Sequence, residues 1–549
     1  DGHRRNALAQ LVEGIDPMNR QQRTAARTLT IGTGLLLFGG CLLNFPSHAN
    51  GPYKCTQPAD CADGFHCEVA IAQCVETLSC ALPLVQCGGA CIDTTRTPTH
   101  CGGCYEACLA GQYCVDSACG PVTHGAFVYG TGNSGNEVYD VAANSTGSSS
   151  YVARVMDHDA SDGYDPGGSI DHLQLAADGS TLASFLFDAS SVGYSSLASV
   201  ATLSNDDVIV AGAFSQQMVF DADVYTSTNT GLVLFVARYH PNGDAVWVKQ
   251  FTAVTFGSVT VRQVAADAAN VVVSGSIEGD YVFGGSTTDA SAGSGFLLSI
   301  LVSDGSAEWV RLIIPSADMP GSFVALTGVA TNGSAVSVSG QFQGTLTIEG
   351  TDYTSLGSYD GLVARYASDG TLQHVLVVGN TDFASIDAVA VAPGSASATI
   401  YVAGSIGGSA DIGRSDGSPF VIDPSVGGGG FIAAYDDGLS NLWARAGGFD
   451  SVADLVVSAD GARIYLTTTH YVVNVGPEIV VASFGGTDGL PVWSLGAACS
   501  GTCVPAALDI SRNTGRIFAV GRFAGDITFP DGPQLTADAA AEYIWVIDP

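Results

Sequence analysis

The sequence predicts an all-β fold: a seven-bladed β-propeller behind an N-terminal disulfide-rich, loop-dominated region. Two internal registers carry that prediction. The first is an outer-strand pattern that closes on a ring-bearing side chain, at Tyr129, Phe185, Trp247, Trp309, His374, Trp443 and Trp493. The second, apolar-x-x-(Val/Leu)-small, begins at Val138, Leu197, Val261, Leu326, Ile386, Val452 and, most loosely, Pro505. Both registers count seven. A unit of about 60 residues with four short strands cannot bury its own faces and must stack on copies of itself.

Each repeat reads in one order. An innermost strand such as 261–265 comes first, and a second strand often ends on glycine, at Gly275, Gly340, Gly404 and Gly521. A variable loop leads to a third strand, as at 235–239, 362–366 and 431–435. Then Asn242-Gly243, Asp304-Gly305, Asp369-Gly370 or Asp488-Gly489 turns the chain into the outer strand. Such turns supply the positive φ of tight hairpins, and the Val/Ile/Phe/Tyr runs have strand rather than helix character. The outer tryptophans are expected to wedge between sheets where they diverge. Ala142, Ala201, Ala265, Ala330 and Ala390 suit the crowded centre. The last repeat stops at a third strand ending on Pro549. Its missing outer strand is read at 126–129, so an N-terminal strand is expected to close the ring and remove an exposed edge.

These features resemble the bacterial seven-bladed β-propeller repeat family, most clearly at residues 211–214 and 521–523. The resemblance spans roughly residues 125–549 and implies an extracellular ring without naming a ligand. The first and sixth repeats depart from it, with Ala153-Arg154 and residues 467–469 in place of the glycine motif.

The chain has 549 residues, 46% hydrophobic and 13% charged, which suits a sizeable core rather than disorder. Its net charge is −34, with lysine only at Lys54 and Lys249. That balance argues against nucleic acid, whose phosphates require basic partners. It suits a soluble, self-repelling exterior and a monomer.

The N-terminus reads as an address. Residues 1–17 precede Met18 and look like an over-extended translation start. Residues 18–40 have the basic segment and short apolar run (29–38) of a secretory signal, too short for a good membrane span. Phe38-Gly39-Gly40-Cys41 resembles the bacterial lipobox, which implies lipidation of Cys41, a tether at 41–54 and an outer-membrane or cell-surface site. The competing reading is cleavage near Ala49 and secretion.

Cysteines crowd the next stretch. Cys55, Cys61, Cys67 and Cys74 form a first module, 55–79. Cys80, Cys87, Cys91, Cys101, Cys104, Cys108, Cys114 and Cys119 form a second, 80–120. The parity predicts two and four disulfides, with connectivity left open. Small modules of this kind depend on cross-links in place of a core. The second resembles the stigma-specific-protein type of cysteine module. Zinc at Cys101-x-x-Cys104 beside His100 is the weaker reading, because an exported zinc knuckle would not need eight cysteines. Cys499 and Cys503 are expected to form a short-loop disulfide in the ring.

Little in the ring resembles catalytic machinery. Gly413-Arg-Ser-Asp-Gly417 matches a nucleophile elbow formally but lacks the strand-turn-helix context. Asp157, Asp159, Asp162 and Asp165 imitate a calcium-binding turn, although Gly163 falls one place late and no glutamate closes the loop. A solvated acidic loop is the alternative. Tyr139, Arg262, Asp387 and Asp454 occupy variable innermost-strand positions, and acid–base work would require them to converge. The favoured expectation is a non-enzymatic, envelope-anchored binding or adhesion protein with an extracellular protein or glycan partner and calcium as the one candidate cofactor. The alternatives are a polysaccharide hydrolase or lyase and a periplasm-facing scaffold lipoprotein.

Overall fold

A computed structural model describes residues 54–549 apart from 58–59, 62–64, 69–70, 77–79, 81–83, 88–89, 96, 109–112, 116–117, 132–136, 157–168, 190–194, 221–222, 228–230, 255, 318–320, 393–398, 413–420, 423–428, 450, 473–475 and 531. Cys41, the loop 157–165 and the segment 413–417 lie outside the described residues. The described chain divides into two compact units, meeting in sequence at Gly120 and Pro121.

The N-terminal unit is built from short hairpins and disulfides. Phe65–Glu68 pairs with Gln73–Glu76, Val85–Cys87 with Ala90–Ile92, and Tyr113–Val115 with Ala118–Gly120. Cys55 is bonded to Cys67 and Cys61 to Cys74, so the two loops interlock. Further on, Cys80 joins Cys91, Cys87 joins Cys104 and Cys101 joins Cys114, while Cys108 is also disulfide-bonded. The side chain of Cys119 lies outside the described residues. Cys101 and Cys104 serve different disulfides, which removes the thiolates a zinc site would need. The sulfurs of Cys55, Cys61 and Cys67 lie close together, but each is held in a disulfide too.

The C-terminal unit is all β and propeller-like. Seven four-stranded antiparallel units can be followed among the described residues; six run innermost to outermost in chain order, and the last takes its outermost strand from the N-terminal end of the unit. The second unit shows the pattern: Ser195–Thr202, Val208–Phe214, Val233–Tyr239 and Ala245–Phe251. Its second strand, VIVAGAF, is buried throughout. A continuous apolar run is what a strand covered on both faces requires. The innermost strands begin at Glu137, Ser195, Ser258, Phe323, Ala384, Ser451 and Cys503, and adjoin one another in a closed cycle. The closing strand is Val122–Thr131, which pairs antiparallel with the C-terminal strand Gln534–Asp548, Ala126 opposite Trp545.

The second-to-third-strand hairpins fold back onto the preceding unit. Gln217–Phe220 pairs with Thr181–Ala189, Thr345–Ile348 with Ala307–Pro315, and the extension of Ile517–Thr528 with Pro491–Cys499. They extend the ladder of that unit's outermost strand. The Asn/Asp-Gly turns all lie on the opposite face.

The tryptophan series has a second partner beyond apolar packing. Trp247, Trp309 and Trp443 donate their indole N–H to the carbonyls of Val302, Ser368 and Gly486 in the following unit, at 2.9, 2.8 and 3.1 Å. Their rings lie against Gly305, Gly370 and Gly489 of the following unit's turn. The turn glycine therefore serves both positive φ and close approach. Two landmark positions behave differently. At the closure it is Phe127, not Tyr129, whose ring meets the turn glycine Gly179. His374 is exposed and fills no wedge; Arg365 pairs with Asp437 of the next unit across that seam.

Candidate functional site: the axial channel

Every innermost strand carries a register shift at the landmark the sequence displays. The shifts fall between Val138 and Asp140, Ser196 and Ser199, Val261 and Gln263, Leu326 and Gly328, Ile386 and Ala388, Val452 and Asp454, and Pro505 and Ala507. An extra residue at a bulge bends the strand and re-aims side chains. In six of the seven shifts one residue is skipped. These six include Tyr139, Arg262, Thr327 and Asp387.

The innermost strands leave their axial edge without a ladder partner, so its N–H and C=O groups need other bonds. Side chains supply them around the whole ring. Asp140 Oδ2 accepts from Val200 N at 3.0 Å, and Ser199 Oγ accepts from Val264 N at 2.9 Å. Gln263 Oε1 accepts from Val329 N at 2.8 Å, and Thr327 Oγ1 donates to Ile386 O at 2.6 Å. Asp387 accepts from the Val452 amide. Asp454 Oδ2 accepts from Leu508 N at 3.0 Å, and Asp509 Oδ2 accepts from Ala143 N at 2.8 Å. Each link runs from one unit to the main chain of the next.

Two cavities lie among the innermost strands, one toward each face. On the hairpin face a funnel of about 480 Å³ is lined by polar groups that include Tyr139, Arg262, Gln341, Ser385, Asp387 and Ser405. On the turn face a cavity of about 450 Å³ is lined by Val141, Val200, Val264, Val329, Val389 and Leu508, with Arg512. Ala201, Ala265, Ala330 and Ala390 line this end too. Asp140, Gln263 and Asp454 border both spaces, and Asp509 borders the turn-face cavity.

Three adjoining strands thus bring Asp454, Asp509 and Asp140 into one electrostatic neighbourhood. Burial pushes Asp140 up to about 6 against the opposing bonds from Ser199 and Val200. Burial, and then the charge of Asp140, push Asp454 up to about 8. Burial pushes Asp509 up to about 6. Burial raises Asp387 as well, although Ser385 and Ser405 hydroxyls favour its charged form. The first oxygen of Asp140, Asp454 and Asp509 accepts the N–H of Val141, Leu455 and Ile510 respectively. Both oxygens of each of the three carboxylates are engaged with the main chain. Among the described residues these aspartates do not form a cluster tight enough to hold a metal ion.

Of the four inner-strand residues singled out in sequence, Tyr139, Arg262, Asp387 and Asp454 all line the hairpin-face funnel. Asp140, Asp509, Gln263 and Ser199 were missed; the signal was their place just after, or soon after, each landmark. Cys499 and Cys503 are disulfide-bonded at the start of the last innermost strand, away from these groups in the lining.

No protein-family profile matches the chain, and no curated protein matches it. Solved structures do. One, described as the structure of the Dos1 propeller, has a TM-score of 0.37 and 9% identity, over 78% of this chain and 95% of that one. Another is the Chaetomium thermophilum Sqt1 bound to the N-terminus of the ribosomal protein L10, with a TM-score of 0.37 and 11% identity, over 78% and 99%. The chain has a propeller-like all-β fold with a disulfide-linked N-terminal region.

Proposed function

We propose that this is a non-enzymatic binding or adhesion protein of the bacterial cell envelope, held by a lipid at Cys41 and presenting the hairpin face of its ring to an extracellular glycan or protein. The observation that carries the reading is the commitment of the axial carboxylates. Asp140, Asp454 and Asp509 bond main-chain groups through both oxygens. A general acid or base must instead reach the proton it transfers. The funnel above them offers hydroxyls, the amides of Gln263 and Gln341, the Asp387 carboxylate and one guanidinium, which suits recognition. The envelope location rests on the sequence: the apolar run before Cys41 and the disulfide-dense unit that follows it.

The test is a glycan array probed with the full chain, with calcium and with chelator, alongside turnover assays on the same polysaccharides. Saturable binding without product is expected. Product formation that Asp454→Asn abolishes would favour a hydrolase or lyase instead. Protease shaving of intact cells should remove a surface protein and would spare a periplasm-facing one.

A further inference from the structure

We propose that the hairpin-face funnel is a binding site for an acidic saccharide, with Arg262 as the group that takes its carboxylate. The inference rests on the glycan-binding reading above and narrows it.

Arg262 is the residue skipped by the bulge between Val261 and Gln263, so it has no ladder partner on the neighbouring strand. It is exposed and borders the funnel of about 480 Å³. That volume falls within the roughly 300–1,000 Å³ of ordinary small-ligand sites. The other ring arginines whose side chains are described are occupied. Arg238 and Arg365 hold Asp207 and Asp437, Arg516 and Arg522 hold Asp548 and Glu137, and Arg512 donates to Thr202 O. Arg311, Arg445 and Arg463 donate to main-chain carbonyls. Arg262 alone among these makes no side-chain hydrogen bond and no ion pair; it acts on Asp387 only through its field.

An unpaired guanidinium is a planar fork that fits a carboxylate with two parallel hydrogen bonds. Its surroundings select what carries that carboxylate. Ser451 presents an exposed hydroxyl and Ser405 a half-buried one, and Tyr139 and Tyr359 add rings. Hydroxyls beside aromatic rings suit a sugar, with its own hydroxyls and its apolar ring face. Among the described residues no acid of the lining makes an ion pair with Arg262, whose field favours the charged form of Asp387. Asp387 accepts from the Ser405 hydroxyl at 3.0 Å and from the Val452 amide. Asp140 and Asp454, deeper in, are pushed toward the neutral form by burial. The chain's net charge of −34 repels anions at long range. Salt screens exposed charges beyond about 8 Å at physiological ionic strength, leaving the contact charge to decide.

The experiment is calorimetric titration of the full chain, with chelator present, using oligogalacturonate and a neutral malto-oligosaccharide of equal length. Arg262→Ala and Arg262→Lys are run beside the parent, with thermal midpoints showing that they fold. The acidic oligomer is expected to bind at least tenfold more tightly than the neutral one. Arg262→Ala should remove that preference, and Arg262→Lys should restore part of it. Unchanged acidic binding in Arg262→Ala overturns the inference. Binding of the neutral oligomer alone also overturns it, yet leaves glycan recognition standing. Binding of neither, together with an empty glycan array, overturns both.

Discussion

Asp509 Oδ2 accepts the backbone N–H of Ala143 at 2.8 Å, across 366 positions of sequence. This bond completes the circle of side-chain links between innermost strands, and it does so at the seam where the chain's last repeat meets its first. Beside it, Ser511 Oγ donates to Ser145 O and Arg516 donates to Gly147 O. Asp509→Ala would leave the amides of Ala143 and Ile510 without their acceptor. The loss is expected to be about 1–3 kcal/mol, the usual cost of an unsatisfied buried donor. Urea denaturation at pH 5 measures it, and an unchanged midpoint would refute the role.

Stability should fall as pH rises. The folded protein holds Asp140 and Asp509 up to about 6 and Asp454 up to about 8, above the ordinary aspartate value of 3.8. The folded state therefore binds more protons than the unfolded one between those limits. Stability from protonation is full below about pH 4 and is lost through pH 6 and then pH 8. Arg512 adds one favourable charge to Asp509 and does not reverse the sign. The thermal midpoint should be higher at pH 5 than at pH 9. Asp454→Asn should flatten the part of the curve between about pH 6 and 8, whatever its effect on the midpoint at pH 5. A midpoint that rises with pH over this window would contradict the assignment.

The closing strand should act as a separable piece. Val122–Thr131 covers the edge of Gln534–Asp548, where Tyr543, Ile544 and Trp545 are fully buried. A chain lacking residues 121–131 would expose that edge for pairing with other molecules. Light scattering should detect self-association, and a synthetic peptide of residues 121–131 should suppress it. A monomeric, fully stable deletion would show that the edge needs no cover.

Two glycines separate backbone strain from crowding. Gly285 and Gly305 have φ of +89° and +72°. An added Cβ meets nothing within 4 Å at Gly285, but lies 2.7–2.8 Å from Lys249 and Trp247 at Gly305. Gly285→Ala should cost roughly 1–2 kcal/mol from conformation alone. Gly305→Ala should cost about 1–3 kcal/mol more, because the Trp247 ring must move. Equal costs at the two sites would mean that the tryptophan contact contributes little.

The sequence by itself determined the strand order within a repeat, the turn positions and the closing strand, because alternating and continuous apolar runs, Asn/Asp-Gly pairs and repeat spacing are local properties. It also marked where each innermost strand bulges: the skipped or shifted position follows Val138, Val261, Leu326, Ile386, Val452 and Pro505 directly. It did not reveal that Phe127 rather than Tyr129 meets Gly179, since that depends on the register of a strand paired with the far end of the chain. Nor did it reveal the company of Asp140, Asp454 and Asp509. They are separated by hundreds of positions, or sit in separate repeats, and only ring closure brings their strands side by side. Tertiary structure also decided their role. A carboxylate in the linear chain is a candidate acid, base or ligand; once its neighbours are placed, both oxygens are taken by amides of the strand edges. Arg262 is the converse case. The repeat places it at a bulge, and only the completed ring shows it at the rim of a polar funnel without a bonded partner.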